Sequence, residues 1–288
     1  MNNQNPTYFI LKAKLRFKPF FATTFFAHSV NILAKTARVL NKGEGAILYN
    51  VLFEKIKKAF QTKFLEKDGS LYRGFQTAYT LGLAFNLIPV ALRLQSANLL
   101  AKNVKENNNH LTASFLGIPY LPFALSKNGQ LGTTYDLLLQ EAYPSWLYPV
   151  KMGATTVWER WDVIFPDGSI NRGGINDPRD MCSFNHYAYG AIGNWMYKVI
   201  TGVNYKEEQP GYKVIHIQPQ LGEGLSHVNA SLESRYGKIR SSWKLENGIF
   251  TLNVVIPPNT TATICLPDGS EKISIGSGSY KYTCPLNH

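Results

Sequence analysis

For about two hundred residues the apolar positions of this chain repeat at helical spacing, and after about residue 208 they repeat at every second position. One packed layer cannot serve both periods, so the switch predicts two domains of different class, helical first and β second. In the helical part Phe26, Val30, Leu33, Ala37 and Leu40 step by four and three, which sends one stripe toward a core. Leu48, Leu52, Ile56, Phe60 and Phe64 step by four, with Lys55, Lys57 and Lys58 among the solvent positions. A third helix is predicted over 77–87, before Pro89, and Val90, Leu94, Ala97, Ala101 and Val104 mark a fourth that Asn107-Asn108-Asn109 stops. Shorter helices are expected over 113–126 and 131–141, and the short connections make sequential helices antiparallel neighbours.

Residues 143–182 break the pattern. They are rich in Trp, Pro, Gly and Asp and keep no period, which predicts a long loop of the functional or disordered kind. Helical spacing returns with Phe184, Ala188, Ala191, Trp195 and Val199 and ends at Gly202. Beyond it, Ile239, Ser241, Trp243 and Leu245 alternate with Lys238, Arg240, Ser242 and Lys244. Asn247-Gly248 then signals a two-residue hairpin, with Phe250, Leu252, Val254 and Ile256 as the return strand. Ala262, Ile264 and Leu266 make another strand, and together these predict a small antiparallel β-sandwich.

Charge and cysteine content narrow the function classes. The net charge is +11, and Lys12, Lys14, Arg16, Lys18, Lys35, Arg38 and Lys42 all precede the first acidic residue, Glu44. Residues 1–21 read as a solvated, poorly ordered basic leader. Nucleic acid is not the expected partner, because zinc-finger spacing is missing and the aromatics near these cations follow a helical pattern. No apolar run approaches membrane-spanning length, so no membrane partner is expected, and the early lysines interrupt any secretory apolar stretch. Cys182, Cys265 and Cys284 are odd in number, widely spaced and without metal-ligand pattern. Free thiols in a reducing cytoplasm are the expectation, with secretion left open, and no metal or cofactor is implied.

The stretch richest in chemistry is Met152-Gly-Ala-Thr-Thr-Val-Trp-Glu-Arg-Trp-Asp162. Glu159 stands between Trp158 and Arg160, with Trp161 next. Indoles desolvate a carboxylate while a guanidinium favours its charged form, a balance that suits a general base beside an aromatic surface for a sugar ring. The same residues also fit a Glu–Arg pair at a domain edge with tryptophans as packing.

Gly153-Ala-Thr-Thr-Val-Trp-Glu-Arg-Trp161, followed by Ser183-Phe-Asn-His-Tyr-Ala-Tyr-Gly-Ala191, resembles paired motifs of the bacterial α-L-rhamnosidases of glycoside hydrolase family 78. Phe26-Ala-His-Ser29, Gln76-Thr-Ala-Tyr79, Phe115-Leu-Gly-Ile-Pro-Tyr120, Tyr135-Asp-Leu-Leu-Leu-Gln140 and Tyr143-Pro-Ser-Trp-Leu-Tyr148 extend the likeness in order, from about residue 22 to about residue 266. The resemblance implies a multidomain α and β protein: a partial (α/α)6 barrel of about seven helices over 22–208, then a small antiparallel β-sandwich over 209–288. It implies an inverting hydrolase of terminal α-L-rhamnosyl residues, with Glu159 as the general base. His186 is implied as a sugar contact, and Trp158, Trp161 and Arg160 as further substrate-binding residues.

An inverting glycosidase also needs a general acid, roughly 6.5–9.5 Å from the base. In the family that acid lies upstream, in a barrel segment outside these residues, so the isolated chain is expected to be nearly inactive. The expected partners are α-L-rhamnosyl glycosides and the missing N-terminal half of the enzyme. Two other readings stand beside this one: a non-catalytic carbohydrate-binding remnant, and one half of a split glycosidase. The run Asn171-Arg-Gly-Gly-Ile-Asn-Asp-Pro-Arg-Asp180 reads as an insertion that shifts His186 relative to Glu159.

Overall fold

A computed structural model describes the backbone of residues 6–171 and 183–286, with side chains from residue 18. The described residues form two compact units. One runs to Ala154 and adds Trp161–Asn171; the other comprises Thr155–Arg160 and the described residues from Ser183 onward.

The first unit is helical. Its described elements are α1 (Pro6–Val39), α2 (Gly43–Phe64), α3 (Gln76–Ala84), α4 (Val90–Glu106), α5 (Leu121–Ser126), α6 (Leu131–Leu139) and α7 (Leu147–Lys151). The pairs α1/α2, α3/α4 and α5/α6 pack as neighbours, and α3 also packs on α5. Because α1 begins at Pro6, it takes in residues read as a poorly ordered leader. The reason at residue 20 is packing: Phe20 is fully buried, stacked on Tyr72 and against Phe60, Phe64 and Phe75.

The buried side of α1 is Phe20, Thr24, Ala27, Val30, Ala34 and Ala37, so only Val30 and Ala37 of the expected stripe are buried. Phe26, Leu33 and Leu40 are exposed. Three alanines on one helix side let backbones approach closely, and that selects the small residues over the large ones. On α2 the buried set is Ala46, Phe53, Ile56, Phe60 and Phe64, with Leu48 exposed.

The helix expected over 113–126 is confined to α5, and Gln76 explains why. This fully buried amide donates to the His110 carbonyl at 3.0 Å and accepts from the backbone N–H of Thr112 (2.9 Å) and Ala113 (3.2 Å). Ser114 N–H goes to Thr77 Oγ1 at 2.9 Å. Side chains that claim successive backbone groups compete with the helix for them. The expected loop over 143–182 does contain one short helix, α7.

In the second unit, a 3-10 turn (Ala188–Ala191), α8 (Ile192–Trp195) and a π-helical turn (Met196–Ile200) follow one another without a break. Eight strands follow: β1 (Val203–Tyr205), β2 (Val214–Ile217), β3 (His227–Ser234), β4 (Gly237–Glu246), β5 (Ile249–Ile256), β6 (Thr261–Ile264), β7 (Ile273–Ile275) and β8 (Gly278–Pro285). They form two four-stranded sheets, ordered β1-β2-β6-β7 and β3-β4-β5-β8. Every pairing is antiparallel except β2 with β6, which is parallel. The β4–β5 hairpin turns at Asn247 (φ 51°) and Gly248 (φ 74°), the left-handed pair of a type I′ turn. Ile239, Ser241 and Trp243 on β4 and Phe250, Leu252, Val254 and Ile256 on β5 are buried, as the alternation predicts.

The helical segment is fastened to this sheet. Trp243 Nε1 donates to the Ile200 carbonyl at 2.8 Å, and Ser241 Oγ donates to the Thr201 carbonyl at 2.7 Å, both in the interior. These bonds satisfy carbonyls left over at the helix end. Gly202 makes the turn into β1 at φ 74°, and a Cβ there would lie 2.2 Å from Pro219 N and 2.3 Å from the Gln218 carbonyl carbon. Helices in pairs followed by two small sheets are the class expected from the sequence, with one parallel pair where an all-antiparallel sandwich was expected.

Candidate functional site

The segment around Glu159 is positioned by the segment around Ser183. The amide of Glu159 donates to the Ser183 carbonyl at 2.9 Å, and the Ser183 amide donates back to Glu159 Oε2 at 3.0 Å. Alongside, the His186 amide donates to the Val157 carbonyl at 2.7 Å, and Thr156 Oγ1 donates to the Phe184 carbonyl. Residues 156–159 and 183–186 therefore run alongside each other in a short strap. The strap fixes both the backbone of Glu159 and one of its two carboxylate oxygens.

Packing supports the strap from within. Trp158 is buried and meets Phe184 edge to face, with ring centroids 5.7 Å apart. Its indole is thus spent on packing, while the Tyr187 ring nearby is exposed and stacked 5.1 Å from the His186 imidazole. His186 Nδ1 accepts from the Ala188 amide at 3.3 Å, which leaves Nε2 to carry the ring proton in the neutral form. Arg160 is half-buried beside Glu159 in sequence. The unit thus brings together Glu159, Trp158, Arg160 and His186.

Trp161 belongs to the helical unit, where it meets Trp146 edge to face at 5.9 Å. Next to it Asp162 accepts from Asn171 Nδ2 at 2.9 Å. The insertion read at 171–180 and Cys182 lie outside the described residues, apart from Asn171.

Other motif residues meet inside the helical unit. The His28 imidazole stacks on Phe85 with centroids 3.9 Å apart and planes 8° from parallel, and Tyr120 packs against the same Phe85 ring edge to face at 4.9 Å. Burial, and then the nearby charge of Lys35, holds the His28 pKa below its ordinary value. Gln76 and Thr77 lock the chain ahead of Gly117, whose missing Cβ would stand 3.0 Å from the Thr77 side chain. Sequence reasoning passed over Ser183 as a ligand of Glu159. The only signal was its place at the head of the second paired motif, since a backbone donor has no residue type to betray it.

Among the described residues, no group of three or more His, Cys, Asp or Glu side chains is placed to hold a metal ion. Among them too, no helix is long and apolar enough to cross a membrane. The site offers a fixed carboxylate, an imidazole and a guanidinium, a set suited to proton transfer and hydrogen bonding with a polar neutral ligand.

Comparison with known proteins places these features. Residues 16–200 match the model of the bacterial alpha-L-rhamnosidase 6 hairpin glycosidase domain, and residues 202–281 match that of the bacterial alpha-L-rhamnosidase C-terminal domain. An alpha-L-rhamnosidase of Formosa agariphila is 41% identical over 261 residues, 90% of this chain, and one of Streptomyces avermitilis is 38% identical over 284 residues, 92% of it. This chain spans 27% of the length of each of these two relatives. The crystal structure of the Streptomyces avermitilis alpha-L-rhamnosidase complexed with L-rhamnose superimposes with a TM-score of 0.84 at 37% identity, covering 92% of this chain and 26% of that one. Native alpha-L-rhamnosidase from Aspergillus terreus gives the same TM-score, 0.84, over 90% of this chain and 30% of that one. With the two family domains matched in order along it, the chain belongs to the bacterial alpha-L-rhamnosidase family, of which it represents a C-terminal part carrying paired helices of the six-hairpin domain and the β domain that follows.

Proposed function

We propose that this chain is the base-carrying part of an inverting α-L-rhamnosidase, acting on terminal α-L-rhamnosyl residues of glycosides. The observation that carries the proposal is the reciprocal pairing of Glu159 with Ser183, which aims a carboxylate from inside the family's paired motifs. In this reading Glu159 takes a proton from water as that water attacks the anomeric carbon, and the aglycone leaves from the opposite face. His186 and Arg160 hydrogen-bond the sugar in this reading. Trp158 acts from behind by keeping the strap in place. The general acid, which protonates the departing oxygen, comes from the part of the domain that these residues do not span.

The partner in this reading is therefore the preceding half of the same domain, within one polypeptide or as a second chain. The free, buried thiols of Cys265 and Cys284 support a reducing compartment, the cytoplasm, as its location. The test is the stereochemistry of the first-formed product in a domain made complete. Release of β-L-rhamnose from an α-L-rhamnoside, followed by NMR before mutarotation, is the expected result. Release of the α anomer would show a covalent intermediate and sink the inverting assignment.

A further inference from the structure

The strap that aims Glu159 also presents an apolar side chain beside it. Val157 and Glu159 both turn backbone groups toward the opposing segment. The Val157 carbonyl accepts from the His186 amide at 2.7 Å, and the Glu159 amide donates to the Ser183 carbonyl at 2.9 Å. Residues two apart that pair toward the same side of an extended segment carry their side chains on one face. Trp158, between them, is buried on the other face, while Val157 is 39% exposed. The isopropyl group of Val157 therefore shares a face with the Glu159 carboxylate, and His186, bonded to Val157 through the backbone, is their neighbour.

An exposed valine is ordinary on a protein surface. What distinguishes this one is the clearance over it. Gly190 lies in the 3-10 turn Ala188–Ala191, a helical conformation open to every L residue. A Cβ added there would touch Val157 Cγ2 at 3.4 Å, so any longer side chain would lie over the valine. The glycine thus serves space rather than backbone conformation, and it keeps an aliphatic surface open beside a carboxylate and an imidazole.

We propose that Val157, with Gly190 as its clearance, is a specificity-determining residue that receives the C6 methyl group of the sugar. The inference rests on the reading of the chain as the base-carrying part of an α-L-rhamnosidase. Rhamnose is a 6-deoxy sugar, and that methyl is its one wholly apolar substituent. Glu159, His186 and Arg160 meet the polar atoms of the site, and Val157 gives the methyl an apolar contact on the same face. L-Mannose, the counterpart with a hydroxyl at C6, would press that hydroxyl unpartnered against the valine. A hydrophobic pocket as a whole rejects an added hydroxyl by about 10²-fold, of which one side chain supplies about tenfold.

The test compares 4-nitrophenyl α-L-rhamnoside with 4-nitrophenyl α-L-mannoside in the completed domain, where the shared leaving group cancels from the ratio. The parent is expected to favour the rhamnoside by about 10²-fold in kcat/KM. Val157→Thr keeps the branched shape but offers a hydroxyl, and it lowers that ratio by about tenfold, with the mannoside gaining. Gly190→Ala crowds the same notch and raises the ratio instead; it serves as the deciding variant if circular dichroism shows Val157→Thr unfolded. A folded deciding variant that keeps the ratio within about twofold, or that loses rate equally on both substrates, overturns the assignment. A parent domain that cleaves neither substrate overturns the rhamnosidase reading and this inference with it. Cleavage of the rhamnoside with an unmoved ratio overturns this inference alone.

Discussion

Ser183 and Glu159 hold each other twice, amide to carbonyl at 2.9 Å and amide to carboxylate at 3.0 Å, across 24 positions of sequence. An acid side chain tethered by the backbone of a distant segment keeps its direction when its own neighbours move. That is the property a general base needs, because proton transfer requires hydrogen-bond reach in a defined geometry.

In a complete domain, Glu159→Gln is expected to lower kcat by about 10²–10⁴-fold, the usual worth of a positioned base. The amide keeps the size and one acceptor, so sugar affinity survives, whereas His186→Ala weakens binding as well. Azide should partly restore turnover of an activated rhamnoside and give the inverted glycosyl azide. Wild-type rates in Glu159→Gln, measured on the same substrate, would move the base elsewhere.

The purified 288-residue chain is expected to leave a natural rhamnosyl disaccharide almost untouched, because a poor leaving group needs a proton donor. Nitrophenyl rhamnoside needs little protonation, so slight turnover on it alone is compatible. Product analysis by chromatography decides, and efficient cleavage of the disaccharide would show that these residues hold an acid of their own.

The lowered pKa of His28 predicts an acid-sensitive helical unit. Below the ordinary histidine value of 6.5 the unfolded chain takes up a proton that the stacked, half-buried imidazole resists. Stability is therefore fully present above that value and is lost as pH falls toward the lower folded-state value. Denaturation followed by helical dichroism between about pH 8 and 5 reads the slope. His28→Phe keeps a ring on Phe85 and should flatten it; an unchanged slope would assign the effect to another group.

Gly202→Ala should destabilise the second unit by about 3 kcal/mol or more. The added methyl meets backbone atoms at 2.2 and 2.3 Å, which no side-chain rotation relieves, on a left-handed residue where even the backbone favours glycine. A thermal scan monitored by tryptophan fluorescence tests it. A melting point within a degree of the parent would mean the turn relaxes freely.

The fold was legible where neighbours in sequence are neighbours in space. Alternation along β4 and β5 and the Asn247-Gly248 turn gave the hairpin directly, because each strand pairs with the next. The pairing of β2 with β6 left no local trace, since Val214 meets Thr261 across the whole β3–β5 meander. On α1 a search for large apolar residues picked Phe26 and Leu33, while close helix packing buried Ala27 and Ala34. The helix expected from residue 113 was shortened by Gln76, whose buried amide holds a stretch some 36 positions away. At the site, Glu159 was legible through its motif and its indole neighbours. The strap that aims it was not, because its donors are main-chain amides.

The bond from Trp243 to the Ile200 carbonyl bears on how such proteins can be recombined. The conventional seam between helical and β modules falls at residues 200–202, between the two family matches. A gene cut there and joined to a foreign cassette would strand an indole donor on one side and a helix-end carbonyl on the other. Chimeras within the family should therefore cross over ahead of Ala188, so that the final helical turns travel with the sheet that answers them.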